Sequence, residues 1–294
     1  MSEQARSAQA WRDMDAAELA RQYNARGTVP NIDSLLDDYR TASSPMYGMP
    51  HLLDLQYGPH PDERLDLFPV TDRPDAPLFI FIHGGYWRAM TKEDSVFMAR
   101  TFVDHGFAVA SINYQLAPGA SLEEIVAQCR GALGWLHRHA ADHGVSTRHI
   151  VVSGSSAGGH LAAMLIAPDW LAESGLPEDI VKGAVLVSGL YDLAPVQQTT
   201  PNEWLRLDEA RALALSPIHT LPAPSTRLCV AAAAQDTDEF KRQSFIYAQA
   251  SSGHGCHVEY FEVAGRNHFD VIMDWMDPQA QLTRSTFGLL KPAA

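Results

Sequence analysis

The pattern of hydrophobic positions changes character along the chain. Over residues 1–50 apolar positions recur at helical spacing in separate pieces, one around Trp11–Tyr23 and one around Ile32–Tyr39. From residue 53 strict alternation takes over. Leu53-Asp54-Leu55-Gln56-Tyr57 and Arg64-Leu65-Asp66-Leu67-Phe68-Pro69-Val70 read as half-buried antiparallel strands, joined by the turn Gly58-Pro59-His60-Pro61-Asp62. Strand, loop and helix then follow one another. Five apolar residues, Leu78–Ile82, predict a strand covered on both faces, and Phe107–Ile112, Ile150–Val152, Ala184–Val187, Leu228–Ala232 and Val258–Val263 continue the series. Thr91 is placed to cap a helix running to His105, with Gly106 as its stop. Ser121 and Glu124 form a capping box for a helix that runs to about His143 and ends at Gly144. Further helices are expected from about Ala157, over Glu239–Ala250 and over Val271–Leu290.

Strands alternating with helices predict an α/β fold: a mostly parallel central sheet with helices on both faces, antiparallel N-terminal strands and a small helical cap. A single domain over 1–294 is expected, with 1–50 as the cap and 51–294 as the core. Residues 192–215 are expected to join the cap over the carboxyl edge of the sheet.

Composition narrows the partners. The 294 residues are 46% hydrophobic and 19% charged, which supplies a sizeable core and excludes disorder as the main state. Apolar runs such as Leu78–Ile82 and Leu161–Ala167 fall short of the roughly 18–20 residues a membrane span needs. A formal net charge of −13 argues against nucleic acid or an anionic membrane surface as partner. The polar start MSEQARSAQAWRDMDAAELA predicts no secretory signal. Cys129, Cys229 and Cys256 form no closely spaced framework, so reduced thiols in a cytoplasmic protein are expected.

The chemistry-bearing motif is Gly154-Ser155-Ser156-Ala157-Gly158, directly after a buried strand and before a helix. A sharp strand-to-helix turn holds the central serine strained and exposed above the sheet, which makes Ser156 the candidate nucleophile. Ser153 and Ser155 are not centred between the glycines. His83-Gly84-Gly85-Tyr86-Trp87 follows the strand Leu78–Ile82. Its paired glycines allow the N–H groups of Gly84 and Gly85, with that of Ala157, to face a developing alkoxide. The alternative is an ordinary Gly-Gly turn. His83 is read as structural, bonding loop backbone.

A serine nucleophile needs a base and an orienting carboxylate, which follow it in the order Ser, Asp, His on a parallel sheet. After the strand Leu228–Ala232, Asp236 is nearest the strand end and is the chosen acid. Asp192, after Ala184–Val187, is the second candidate, whereas Asp238 and Glu239 fit the first turn of the next helix. His268, on the loop before the final helix, is the chosen base. His254 and His257 fall at the opposite end of that strand. His139 and His143 have metal-compatible spacing but suit a helix C-terminus better, and no metal is expected. Tyr86, Trp87 and Phe269 are candidates for lining a substrate pocket, with core packing as the alternative for Trp87 and Phe269. Tyr191 and Pro201–Leu207, with Trp204, are placed to contribute to a lid.

Taken together, the strand order, Gly154–Gly158, the His83-Gly84-Gly85 loop, Asp236 and His268 resemble the α/β-hydrolase fold. His83-Gly84-Gly85-Tyr86-Trp87, Asp236-Thr237-Asp238-Glu239-Phe240 with Arg242-Gln243-Ser244, and Asn267-His268-Phe269 are similar to the arylformamidase (kynurenine formamidase) group over roughly residues 50–290. Hormone-sensitive-lipase-like esterases are similar too, but usually carry a third glycine where this chain has Tyr86. The arylformamidase resemblance implies cofactor-free hydrolysis of N-formylkynurenine to formate and kynurenine by Ser156, Asp236 and His268. The expected partner is a small aryl amide or ester substrate, and a homodimer is left open. A carboxylesterase acting on short-acyl esters and a catalytically silent hydrolase-fold binding protein are the competing readings.

Overall fold

The computed structural model describes residues 10–291. The first residues of the expected cap, and with them part of the stretch read as lacking a secretory signal, lie outside the described residues. Eight strands form one sheet: β1 (Leu52–Gln56), β2 (Arg64–Phe68), β3 (Ala76–Ile82), β4 (Ala108–Ile112), β5 (Val145–Ser155), β6 (Val181–Val187), β7 (Arg227–Ala233) and β8 (His257–Val263). Their spatial order is β1-β2-β4-β3-β5-β6-β7-β8. The β1–β2 and β2–β4 pairs are antiparallel, and all pairs from β4 onward are parallel.

The sheet is covered on both sides because the side chains of a strand alternate between its faces. On β3, Leu78, Ile80 and Ile82 enter one buried cluster, whereas Phe79 and Phe81 enter the other. The first cluster receives α4 (Leu122–His139) through Leu122, Ile125, Cys129, Leu133 and Leu136, a helical stripe. The capping box that opens this helix is formed, with Ser121 N–H donating to Glu124 Oε2 at 2.7 Å and Glu124 N–H to Ser121 Oγ at 3.3 Å. The remaining helices, numbered in chain order, are α1 (Ala16–Gln22), α2 (Ile32–Ser43), α3 (Ala99–Asp104), α5 (Ala157–Leu165), α6 (Pro168–Ser174), α7 (Asn202–Leu205), α8 (Glu209–Ala214), α9 (Asp238–Gly253) and α10 (Gln281–Leu290).

Several expected boundaries are corrected. The helix expected from Thr91 to His105 is a 3-10 turn, Lys92–Ser95, followed by α3. The capping box at Thr91 and Asp94 forms, but Val96, Phe97 and Met98 are all buried, and three consecutive inward residues do not fit one helix face. The final helix is likewise split into a 3-10 segment, Asp270–Met276, and α10, because Pro278 interrupts the backbone ladder. Helix α4 ends at His139, and His143 sits in a separate 3-10 turn closed by Gly144 at φ +74°, so the two histidines do not share a helix. The three cysteines are buried and unpaired by disulfides. Among the described residues no helix is long and apolar enough to cross a membrane.

Candidate active site

Parallel register brings the loops of interest to one edge of the sheet. Ile82 pairs with Gly154, Ser155 with Val187, Val187 with Ala231 and Ala233 with Val263. The residues just beyond these carboxyl ends are His83–Gly85, Ser156, Ser188, Asp236 and, after a turn, His268. The crevice outside the carboxyl ends of parallel strands is the usual place for a ligand in an open α/β sheet.

Ser156 sits between β5 and α5 with φ +57° and ψ −121°, a strained conformation for a residue with a side chain. Its N–H donates to the Val187 carbonyl at 2.9 Å, which ties the turn to β6. Only glycine fits on either side. A Cβ on Gly154 would lie 2.1 Å from the Gly158 carbonyl oxygen, and one on Gly158 would lie 2.0 Å from that of Ile82.

The loop after β3 presses against this turn, since a Cβ on Gly84 would lie 2.8 Å from the Ser155 carbonyl oxygen and 3.4 Å from Ser156 Cβ. Gly85, Tyr86 and Trp87 then adopt φ of +94°, +52° and +57° in succession. Such backbone in residues with side chains persists only where its surroundings over-determine it. The Tyr86 hydroxyl donates to the Tyr23 carbonyl at 2.5 Å, the Trp204 indole N–H to the Tyr86 carbonyl at 3.0 Å, and Ala117 N–H to the Trp87 carbonyl at 2.7 Å. Among the described residues the N–H groups of Gly84, Gly85 and Ala157 donate to no backbone carbonyl.

Asp236 and His268 meet at the other end. His268 Nδ1–H donates to Asp236 Oδ1 at 2.6 Å, and both side chains are buried. The second carboxylate oxygen accepts from the Ser188 hydroxyl at 2.5 Å and from Ala233 N–H at 3.0 Å. The imidazole is packed by Phe240, 4.4 Å between ring centroids, and by Phe269 at 5.2 Å. Asn267 Oδ1 accepts from the N–H groups of Phe269 and Asp270 at 2.9 and 3.1 Å and so shapes the loop. The Tyr39 hydroxyl donates to the Phe269 carbonyl.

Asp192, the second candidate acid, is not at the imidazole. Its Oδ1 accepts from Ala194 N–H at 3.0 Å, and its backbone is held by Gln243. Asp238 pairs with Lys241 on the first turn of α9. His83 donates to the Gly84 carbonyl at 3.0 Å and stacks on Tyr114, and burial pushes its pKa down to about 4.

Ser156 and His268 open on the same cavity of about 800 Å³, which Gly84, Gly85, Tyr86 and Phe269 also line. Two expectations are corrected here. Trp87 does not line this cavity; it is fully buried and sits edge-on to His160 at 5.1 Å, its large apolar ring drawn into the core beside α5. Tyr191 is likewise a core residue, stacked on Tyr247 at 4.4 Å. Of the stretch Pro201–Leu207, Pro201 and Trp204 line the cavity.

Residues of the N-terminal cap, among them Tyr23, Leu36 and Tyr39, roof the cavity, and a buried network invisible to the sequence reading anchors them. The Tyr23 hydroxyl donates to Glu239 Oε2 at 2.8 Å and accepts from Gln243 Nε2 at 2.9 Å. Glu239 is paired with Arg242 at 2.7 Å, both side chains being almost fully buried. Thr237 donates to the Gln22 carbonyl at 2.6 Å, and Glu239 N–H to Gln22 Oε1 at 3.1 Å. The cap is therefore fastened to the same loop and helix that carry Asp236.

The chain resembles known proteins over nearly its whole length. A family model described as BD-FAE matches residues 65–202. The kynurenine formamidase of Salmo salar is 34% identical over 289 residues, 93% of this chain and 96% of that protein. That of Danio rerio is 33% identical over 290 residues, with the same coverage. Among solved structures, a candidate thioesterase from Silicibacter sp. tm1040 is 28% identical with a TM-score of 0.78, covering 91% of this chain and 98% of that one. An esterase from Pyrobaculum calidifontis shares the fold at 19% identity and a TM-score of 0.67, over 94% and 96% of the two chains.

Fold and site together define an enzyme of the α/β-hydrolase class. Within that class the near full-length identity is decisive: the chain belongs to the kynurenine formamidase family.

Proposed function

We propose that the protein hydrolyses a small aryl formamide or amide, N-formylkynurenine to kynurenine and formate, through an acyl-enzyme on Ser156. The observation that carries this reading is the 2.6 Å bond between His268 Nδ1 and Asp236 Oδ1 on the cavity that Ser156 also faces. With Nδ1 carrying the proton, Nε2 is the basic nitrogen. It takes the Ser156 proton as Oγ attacks the formyl carbon. The tetrahedral oxyanion is received by the N–H groups of Gly84, Gly85 and Ala157, each worth roughly 3–4 kcal/mol to the transition state. His268 then returns the proton to the aryl nitrogen as its bond to carbon breaks, because an arylamide anion is a very poor leaving group. Water, deprotonated by the same imidazole, releases formate and regenerates Ser156.

The 28% identical candidate thioesterase supports a second reading, hydrolysis of an ester-type bond in place of an amide, which would use the same three side chains. A panel of aryl formamides, larger anilides and p-nitrophenyl acetate, run beside Ser156→Ala, separates the two. The formamidase reading expects the highest kcat/KM on formamides and loss of about a thousandfold or more in the variant. Turnover of esters without turnover of N-formylkynurenine would leave the esterase. Failure of an organophosphonate to label Ser156 would leave a silent binding protein.

A further inference from the structure

The peptide between Gly84 and Gly85 joins two residues without side chains, so little in the chain itself decides which way its carbonyl and N–H face. Turned one way it offers a donor to an oxyanion; turned the other it offers a lone pair that repels one. The structure holds it from behind the cavity. Tyr114, two residues past the end of β4, is almost fully buried and lines no part of the cavity. Its ring stacks on that of His83, 4.3 Å between centroids and 12° between planes. Its hydroxyl lies 2.9 Å from the His83 carbonyl oxygen and 3.3 Å from that of Gly84. One proton cannot serve both at once, but the Gly84 carbonyl also accepts from His83 Nδ1–H at 3.0 Å. Two donors thus meet two carbonyls. Burial pushes the pKa of the Tyr114 phenol well above its usual value, so the hydroxyl keeps the proton it donates.

In a planar trans peptide the carbonyl of one residue and the N–H of the next point in opposite directions. Fixing the His83 carbonyl therefore aims the Gly84 N–H, and fixing the Gly84 carbonyl aims the Gly85 N–H, both away from Tyr114. Gly84 and Gly85 line the cavity and Tyr114 does not. The far end of the loop is tied to the same segment, because Ala117 N–H donates to the Trp87 carbonyl at 2.7 Å. We propose that Tyr114 is a positioning residue for the reaction, one that turns the two glycine N–H groups toward the oxyanion without itself touching substrate. The inference rests on the hydrolase reading above and adds to it the group that sets its donors.

The test deletes one oxygen. Tyr114→Phe keeps the ring on His83, and circular dichroism checks its fold. The readouts compare a ligand that carries an oxyanion with one that does not. A phenyl trifluoromethyl ketone forms one: Ser156 Oγ bonds to the carbonyl carbon, the π pair moves to oxygen, and the serine proton passes to His268. The product amine or phenol of whichever series is turned over forms none. In Tyr114→Phe, kcat/KM and affinity for the ketone should fall together by about thirtyfold, short of the roughly hundredfold or more lost when a donor is deleted outright. Inhibition by the product should stay within about twofold of the wild type, since that complex makes no use of the donors. His83→Asn, which can still donate to the Gly84 carbonyl, should retain more of kcat/KM than His83→Leu. Unchanged ketone affinity in Tyr114→Phe, or a loss shared equally by the product, overturns the proposal. Esters and formamides both pass through an oxyanion, so failure of the formamidase reading leaves the test standing. A wild type that cleaves neither series removes the hydrolase reading and this proposal together.

Discussion

The Ser188 hydroxyl donates to Asp236 Oδ2 at 2.5 Å, on the oxygen opposite the one bonded to His268. Ser188 is fully buried and held at φ +48°, and Ala233 N–H donates both to its Oγ at 3.2 Å and to Asp236 Oδ2 at 3.0 Å. A carboxylate with one oxygen fixed in this way can present the other to an imidazole in a single orientation. Removing the hydroxyl takes away one of the two donors that fix this oxygen and loosens the orientation of the carboxylate against the imidazole. Ser188→Gly, which keeps the positive φ without strain, is expected to lower kcat by about tenfold, in line with the worth of a hydrogen bond to a charged group. An unchanged kcat in a variant whose circular dichroism matches the wild type would mean that Ser188 does not fix the carboxylate.

Two glycines of the site separate activity from folding. A Cβ on Gly158 would lie 2.0 Å from the Ile82 carbonyl oxygen, against a buried strand that cannot yield, so Gly158→Ala is expected to give little folded protein. At Gly84 the closest approach is 2.8 Å, to the Ser155 carbonyl oxygen, a much smaller overlap than at Gly158. Gly84→Ala is expected to fold and to lose at least about a hundredfold in kcat as its N–H moves away from the oxyanion. Circular dichroism and soluble yield, measured beside kcat, distinguish the two outcomes.

The strands and their mostly parallel arrangement were legible because the central strands are unbroken apolar runs and the N-terminal strands alternate, and these two patterns mean different exposures; the spatial order of the strands was not. Ser156, Asp236 and His268 could be singled out because each follows a strand closely enough for the parallel order to put it on the carboxyl edge. Ser188 occupies the equivalent position after β6, but a lone serine at a strand end carries no motif, and its bond to Asp236 spans 48 residues. Glu239 was hidden by a rule that works elsewhere: an acid in the first turn of a helix is normally explained by the helix dipole. Here it is buried against Arg242 and Tyr23, contacts that depend on where the N-terminal segment folds back. Trp87 and Tyr86 are adjacent and both aromatic. Which of them faces the cavity is set by three successive positive φ values, which a one-dimensional pattern does not encode.

The Glu239–Arg242 pair should be among the most sensitive in the molecule. Its side chains are 1% and 0% exposed, so truncating the acid removes both carboxylate bonds of a buried guanidinium and the acceptor of the Tyr23 hydroxyl. Glu239→Ala is expected to destabilise by about 3–5 kcal/mol and to loosen the cap. The surface pair Glu18–Arg21, 37% and 66% exposed, should matter far less in Glu18→Ala, because solvent screens it. Urea midpoints for the two variants, with limited proteolysis of residues 10–43, check both the ranking and the release of the cap. Equal midpoints would mean that the buried pair does not hold this segment.

Stability should also fall on mild acidification, through two histidines that take no part in the proposed chemistry. Burial pushes His83 and His160 from 6.5 down to about 4 in the folded protein. His160 Nε2–H donates to the Leu215 carbonyl at 2.8 Å while the ring lies against Trp87, an environment with no counter-charge for an imidazolium. Below about pH 6.5 the unfolded chain takes up protons at these sites and the folded chain does not, so stability rises with pH between about 4 and 6.5 and is lost as pH falls through that window. At pH 5 the loss is of order 2 kcal/mol for each histidine. Carboxylates that titrate near pH 4 act in the same direction, so the wild-type curve alone does not isolate the effect. His160→Gln retains an N–H donor for Leu215 and cannot ionise. Between pH 7 and pH 5 its unfolding free energy in urea should therefore fall by about 2 kcal/mol less than that of the wild type. An identical fall in both proteins would mean that His160 accepts its proton in the folded state as readily as in the unfolded one, and that the packing of α5 against the Trp87 loop opens to water well above pH 5.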